Sequence, residues 1–191
     1  MNKSRISSRR AIGVALTLLL CTGCGIFETR DPEPPGGDTT PWNPPTVPSI
    51  VFINMENGLE DGTGVNYEKS LADDFTFVAM PGDKDKLGEG VYQNWTKEVE
   101  VGVTQQILAA ASAIQVSFLN PEQKVDDDPF ATFEAPYEFE ITDTQNQKTT
   151  YKGKARFEMQ RLSQGWHLIK WEDLEGVEGF ATWGYLRGTT R

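Results

Sequence analysis

Between Ser49 and Leu119 the spacing of apolar side chains changes period several times, and each change marks an element. Val51, Met55 and Leu59 recur every four residues with Phe52 beside them, the stripe of an amphipathic helix, and Ser49 after Pro48 is placed to cap it. Asp61-Gly62-Thr63-Gly64 ends that helix, and Tyr67 and Leu71 mark a short second one. Phe75-Thr76-Phe77-Val78 has the aromatic and β-branched content of a strand, closed by Pro81-Gly82. A third helix is expected from near Trp95 to Leu108, although Val99, Val101, Gly102 and Val103 are weak formers. Ile114 to Leu119 returns to strand.

From Phe133 to Ile141 the alternation is strict. Phe133, Ala135, Tyr137, Phe139 and Ile141 share one face and Glu134, Pro136, Glu138 and Glu140 the other, the pattern of a half-buried strand. Folding it back on Tyr151–Leu162 about a loop centred on Asn146 sets Glu140 opposite Lys152 and Glu138 opposite Lys154 outside. The same register pairs Phe139 with Gly153, Tyr137 with Ala155 and Ala135 with Phe157 inside. Ser163-Gln164-Gly165 suits a three-residue hairpin turn that sets Leu162 opposite Trp166. Glu158 then faces Lys170 and Arg156 faces Glu172 outside, with Met159 against Ile169 and Phe157 against Trp171 inside. A one-residue slip would turn each apolar row into water, so the pattern itself is expected to fix the register.

The first residues follow another plan: a basic stretch from Lys3 to Arg10, an apolar run from Ala11 to Leu20, then small residues, the layout of a secretory signal. Such a run is shorter than the roughly 20 residues of a permanent membrane helix. Both cysteines, Cys21 and Cys24, lie here, and Thr22-Gly23-Cys24 resembles the lipobox of bacterial lipoproteins, with Cys21 where Leu is commonest. The resemblance implies that residues 1–23 are a signal peptide and that Cys24 carries acyl chains holding the protein to a bilayer, at about 0.8 kcal/mol per buried CH₂. With Gly25 rather than Asp next, it also implies sorting to the outer membrane of a Gram-negative envelope. The alternative is an ordinary signal peptide with incidental cysteines. On the lipobox reading the mature domain has no thiol for a disulfide.

Asp31 to Pro48 holds seven prolines in eighteen residues, so residues 24–48 read as a lipidated cysteine and a Pro-rich tether extending at about 3.1 Å per residue. A second reading makes Pro41-Trp42-Asn43-Pro44-Pro45 a motif for a polyproline-binding partner. Residues 49–191 remain as one folded domain. The chain has 18 basic and 28 acidic residues, a net charge of -10, and Lys3, Arg5, Arg9 and Arg10 all precede Cys24, so the mature part is more acidic still. Such a surface repels phosphate backbones and argues against nucleic acid as a partner.

Two helices, a strand, a helix and about four antiparallel strands make an α+β architecture, with helices packed on one face of a strongly curved, mostly antiparallel sheet. Tyr67-Glu68-Lys69-Ser70-Leu71-Ala72-Asp73-Asp74-Phe75-Thr76-Phe77, Trp95 with Glu98, and Gly165-Trp166-His167-Leu168-Ile169-Lys170-Trp171-Glu172-Asp173 resemble the NTF2-like superfamily. That cone-shaped fold is shared by nuclear transport factor 2, ketosteroid isomerase and the SnoaL-type cyclases, and the resemblance runs from Ser49 to about Leu174. It implies a pocket between the helices and the concave sheet face, where enzymes of the group place a carboxylate or histidine as general base. In the ketosteroid isomerases the base lies five residues beyond the second acid of an Ala-Asp-Asp motif. Here that position is Ala79, which takes no proton and argues against steroid isomerisation.

Tyr137, Tyr151, Phe157, His167, Trp171 and Asp173 are the pocket candidates. His167, the only histidine, turns inward near Arg161 in the inferred register and reads either as a base or as a satisfied rim histidine. Asp173 reads as a pocket carboxylate or as a structural acid held by backbone amides. Asp83-Lys84-Asp85-Lys86-Leu87-Gly88 begins like a calcium loop, but Leu87 stands at a ligand position and Asn94 where Glu is needed at the twelfth. That segment and the acid cluster Asp126-Asp127-Asp128 read as solvated loops. One histidine and no free thiol leave too few ligands for zinc, and no cofactor motif is present. Phe180, Trp183, Tyr185 and Leu186 are expected to seal the sheet edge or the mouth of the cone, the alternative being an exposed patch for a partner. Three functions fit: a non-catalytic envelope module binding a small ligand or partner protein, an isomerase- or dehydratase-type enzyme on a small apolar substrate with Asp173 or His167 as base, or a structural subunit pairing as a homodimer through its outer sheet face.

Overall fold

The computed structural model describes residues 40–191; the signal segment 1–23, Cys24 and the tether as far as residue 39 lie outside the described residues. The chain runs α1 (Ser49–Glu60), α2 (Val65–Ser70), β1 (Leu71–Val78), α3 (Pro81–Leu87), a 3-10 turn (Glu89–Tyr92), α4 (Lys97–Ala110), β2 (Ala111–Phe118), β3 (Glu122–Asp127), β4 (Phe130–Asp143), β5 (Lys148–Leu162), β6 (Gly165–Gly176) and α5 (Trp183–Thr190). The sheet order is β1-β6-β5-β4-β2, with β3 also on β4, and only the β1–β6 pair is parallel. No helix among the described residues is long and apolar enough to cross a membrane.

The stripe of α1 packs as its spacing predicts, with Val51, Phe52, Met55 and Leu59 buried. Phe52 sits among Phe118, Phe133 and Phe157 of the concave sheet face, with ring centroids 5.1–5.6 Å away. Ser49 is the first helical residue and not the cap, since Pro48 holds the N-cap position. On the far side of α1, Glu56 and Glu60 accept from the amides of Phe118 and Val116, both at 2.9 Å, and so satisfy donors along the open edge of β2. Burial raises the Glu56 carboxyl above its ordinary value.

Between β4 and β5 the faces are as expected but the pairing is displaced by two residues. Tyr137 opposes Gly153, Ala135 opposes Ala155, Phe139 opposes Tyr151 and Glu138 opposes Lys152. The Asp143 carboxylate accepts the amides of Gln145 (2.8 Å) and Gln147 (2.9 Å), which centres the turn on Gln145 with Asn146 left-handed at φ 64°. An even shift keeps every side chain on its face. Outside, Glu134 pairs with both Lys154 and Arg156 at 3.0 Å, Glu138 with Lys152 at 2.9 Å, and Glu158 with Lys170 at 3.0 Å.

The β5–β6 turn is shorter than three residues: Leu162 pairs directly with Gly165, whose φ of 115° favours glycine and against which the Pro45 carbonyl lies. Leu168 then faces Met159, and Ile169 is an extra residue before Lys170 rejoins Glu158. This bulge restores the expected pairs Phe157–Trp171 and Arg156–Glu172 while reversing the residues before it, so Trp166 and Leu168 point inward and His167 does not.

Three segments differ from the sequence reading. Asp83–Leu87 belongs to a helix started by Pro81, the first-turn position that suits proline, and Asp83 is buried rather than solvated. Asp126 and Asp127 lie in β3, a fully exposed edge strand whose polar sequence carries no alternation to reveal it. Thr40–Pro48, expected to be spacer, lies on the domain. Asn54 exchanges hydrogen bonds with the Asn43 backbone (2.7 and 3.1 Å), the Asn66 side chain donates to the Thr40 carbonyl (2.7 Å), and the Trp166 amide donates to the Pro45 carbonyl (2.8 Å). Proline removes donors but leaves its carbonyl, which the Trp166 amide uses at Pro45, while buried Asn54 and Asn66 hold the backbone of Asn43 and Thr40.

Candidate functional site

The concave face of the sheet and helices α1, α4 and α5 surround an interior lined by Tyr137, Phe139, Phe157, Met159 and Trp171, each 0–2% exposed. The fold fills this interior with its own C-terminus. Trp183, at the start of α5, stacks on Phe139 with ring centroids 4.0 Å apart and planes 12° apart. One helical turn later Arg187 lies on the same face, also fully buried. Its guanidinium sits 4.1 Å from the Trp171 ring centroid and 4.4 Å from that of Phe77.

Arg187 forms an ion pair with Glu100 of α4 at 2.7 Å and donates to the Tyr67 hydroxyl at 2.9 Å. Tyr67 in turn donates to Glu100, and Trp95 donates its indole N–H to the other Glu100 oxygen at 2.7 Å. Glu100 thus accepts from Tyr67 of α2 and Trp95 of the turn before α4 and is paired with Arg187 of α5. Arg187 Nε and Nη1 and Trp183 Nε1 have no hydrogen-bond partner among the described residues, and the guanidinium faces the Trp171 and Phe77 rings instead. Burial alone would lower the Arg187 pKa, but the Glu100 carboxylate and the Tyr67 oxygen more than offset it and the net shift is upward. Burial, and then Glu100, pushes the Tyr67 hydroxyl well up.

A second buried carboxylate pair lies at the other end of α5. Asp173 accepts the Trp171 indole N–H at 2.8 Å and the Gly184 amide at 3.0 Å. Asp83 accepts the Thr182 hydroxyl, which itself takes the Tyr185 amide at 2.9 Å and caps α5. Burial pushes Asp173 up to about 6 against the pull of Arg187, and burial raises Asp83 as well. Both carboxylates pack against Gly184, whose missing Cβ lets the helix backbone approach.

Of the six pocket candidates, Tyr137, Phe157, Trp171 and Asp173 come together here. Tyr137 accepts the Trp183 amide at 3.3 Å, and burial, with Asp173 beside it, raises its hydroxyl pKa. Asp173 opposes Ala155 as expected. Tyr151 is half-buried and bridges to Ala181. His167 lies outside the cone: the Ile169 bulge turns it away from the interior, its Nδ1 bonds the Gly165 carbonyl at 3.0 Å, and Arg161 pairs with Asp128 instead of approaching it. Ala79 is buried and supplies no base. In the middle-helix motif, Glu98 is exposed and Glu100 is the buried carboxylate.

Sequence reasoning missed Glu100, Arg187, Asp83 and Tyr67 as members of one site. A signal for Glu100 exists, because it precedes Val103, Thr104, Ile107 and Leu108 at spacings that place it on the buried face of α4. Trp183 and Arg187 likewise stand four apart. The tail does more than seal the mouth: Trp183 enters the cone, while Phe180 stays 43% exposed. No cluster of His, Cys, Asp and Glu suited to a metal ion occurs among the described residues.

Neither a family model nor a curated protein matches the chain. Solved structures do. A protein assigned as a scytalone dehydratase from Novosphingobium aromaticivorans is 8% identical, with 71% of this chain and 90% of that one covered at a TM-score of 0.57. A calcium/calmodulin-dependent protein kinase II association domain homologue from Xanthomonas campestris is 15% identical over 68% and 86% of the two chains, with a TM-score of 0.54. A type 2 hexachlorocyclohexane dehydrochlorinase, LinA, is 11% identical over 69% and 86%, with a TM-score of 0.51. At these identities the likeness is one of fold, and the fold is the NTF2-like cone that the sequence motifs imply.

Proposed function

We propose that this chain is a non-catalytic NTF2-like binding module held at the bacterial cell envelope through lipid on Cys24. The observation that carries the non-catalytic part is the occupation of the cone by Trp183 and Arg187 of the same chain, both fully buried. A general base needs a substrate within hydrogen-bond reach, and the one carboxylate in the right place, Asp173, spends its oxygens on Trp171 and Gly184. The Arg187–Glu100 pair neutralises Glu100, and Asp83 is taken up by the Thr182 hydroxyl. The anchor part rests on the basic stretch, the apolar run and Thr22-Gly23-Cys24.

An enzyme on a small apolar substrate is the second reading. It is favoured by the Asp173 carboxyl, which burial moves to about 6, within the range useful to a general base. The dehydratase and dehydrochlorinase names of two fold neighbours add an analogy of fold, not of residues. On that reading α5 must leave the cone before substrate enters.

Mass spectrometry of the protein purified from its native membrane tests the proposal. The expected species starts at residue 24 with acyl chains on its cysteine and carries no reaction product in the interior. An unmodified Cys24, or turnover of a co-purifying apolar molecule that stops with Asp173→Asn, would contradict it.

A further inference from the structure

Away from the cone, an open crevice of about 400 Å³ lies where the end of α2, the start of β1, Lys97 of α4 and the β5–β6 turn meet, with Lys69, Lys97, Ser163, Gln164 and His167 among its walls. A neighbouring crevice of about 260 Å³ is lined by Trp42, Lys69, Gln164 and His167, so the two share three residues and form one site. Its size falls within the roughly 300–1,000 Å³ of small-molecule sites.

The chemistry of the walls is cationic on a chain of net charge -10. Lys97 is fixed by the Leu71 carbonyl (2.9 Å) and by Asp73 (3.0 Å), which offsets the one acid present. Lys69 brings a second ammonium, 5.9 Å from the centroid of the half-buried Trp42 ring. A carbonyl oxygen only accepts, so the His167 Nδ1 that meets Gly165 carries the proton and Nε2 is the ring atom left for a ligand. Around these charges stand a hydroxyl (Ser163), an amide (Gln164) and an indole (Trp42), groups that recognise hydroxylated rings. A lone phosphate would occupy only part of the space.

We propose that this crevice binds a small hydroxylated ligand bearing a phosphate or carboxylate group, of the sugar phosphate or sugar acid class, with Lys69 on the anion and His167 Nε2 accepting from a ring hydroxyl beside Ser163, Gln164 and Trp42. The site rests on the binding-module reading and supplies its ligand class. Its failure would leave the filled cone and the anchor untouched, because neither enters the test below.

His167 is the chain's only histidine, so its imidazole protons give one unambiguous NMR signal for the full-length protein. Glucose 6-phosphate and glucuronic acid are expected to move that signal saturably in the millimolar range, inorganic phosphate at least threefold more weakly, and glucose not at all. Lys69→Gln is expected to weaken both anionic sugars at least tenfold while Lys69→Arg retains them, with unchanged thermal melting because Lys69 is exposed. No shift with either anionic sugar, an equal response to glucose or to inorganic phosphate, or a response confined to phosphatidylglycerol vesicles would overturn the proposal.

Discussion

Arg187 of the last helix and Glu100 of α4 meet at 2.7 Å with neither side chain exposed to solvent. An ion pair so placed is costly to break from one side, because the partner is left charged in a low-dielectric interior. Arg187→Met is therefore expected to destabilise the domain by roughly 3–5 kcal/mol, as is the loss of a partner from any buried pair. Arg187→Met with Glu100→Gln should recover part of that loss, since the stranded charge is gone. Urea denaturation of the two single variants and the double variant measures the coupling.

Asp173 gives stability a pH dependence. In the unfolded chain it titrates near 3.8 and in the folded chain near 6, so between those values the folded state holds the extra proton. Its contribution is fully favourable below about pH 4 and is lost as pH rises through 6, a change on the order of 2–3 kcal/mol. Asp83, Trp171, Tyr137 and Arg187 face it, and Asp83, raised by burial, acts in the same direction. Asp173→Asn should flatten the fall in stability between pH 4 and 6, read from denaturation midpoints at each pH. A rise in wild-type stability across that window, with the variant unchanged, would contradict the assignment.

Gly184 is where α5 touches the carboxylates. A Cβ there would collide with Asp173 Oδ2 and press on Phe77 at 3.0 Å. Alanine favours a helix intrinsically, by about 1 kcal/mol over glycine, so overpacking and propensity oppose each other. The collision is with a carboxylate already held by Trp171, and Gly184→Ala is expected to lose roughly 1–3 kcal/mol. Thermal melting checks the sign; a more stable Gly184→Ala would mean that α5 does not dock as described.

The faces of β4 and β5 were legible in the sequence because alternation decides face, and a register error of two residues does not alter it. The turn chemistry that set the error, Asp143 gathering the amides of Gln145 and Gln147, is local and carries no hydrophobic signal. Alternation alone turns His167 inward, but one extra residue, Ile169, reverses the side of everything before it, and nothing in the composition of β6 marks a bulge. Asp173 keeps the partner that alternation gives it, Ala155, since the bulge restores the pairing ahead of it. The plug was hidden for another reason. Arg187 is a charged residue on a short helix with two glycines, and only the tertiary partners Glu100, Trp171 and Phe77 make its burial favourable.

Amide hydrogen exchange of Trp183, Gly184 and Tyr185, measured by NMR under native conditions, tests the filled cone most directly. These three amides are bonded to Tyr137, Asp173 and Thr182, and if α5 is part of the core they should exchange only through global unfolding, with the same free energy as the central amides of β5. Exchange through a local opening several kcal/mol below the global value would mean that the helix leaves the cone readily, and that the interior is a site and not a core.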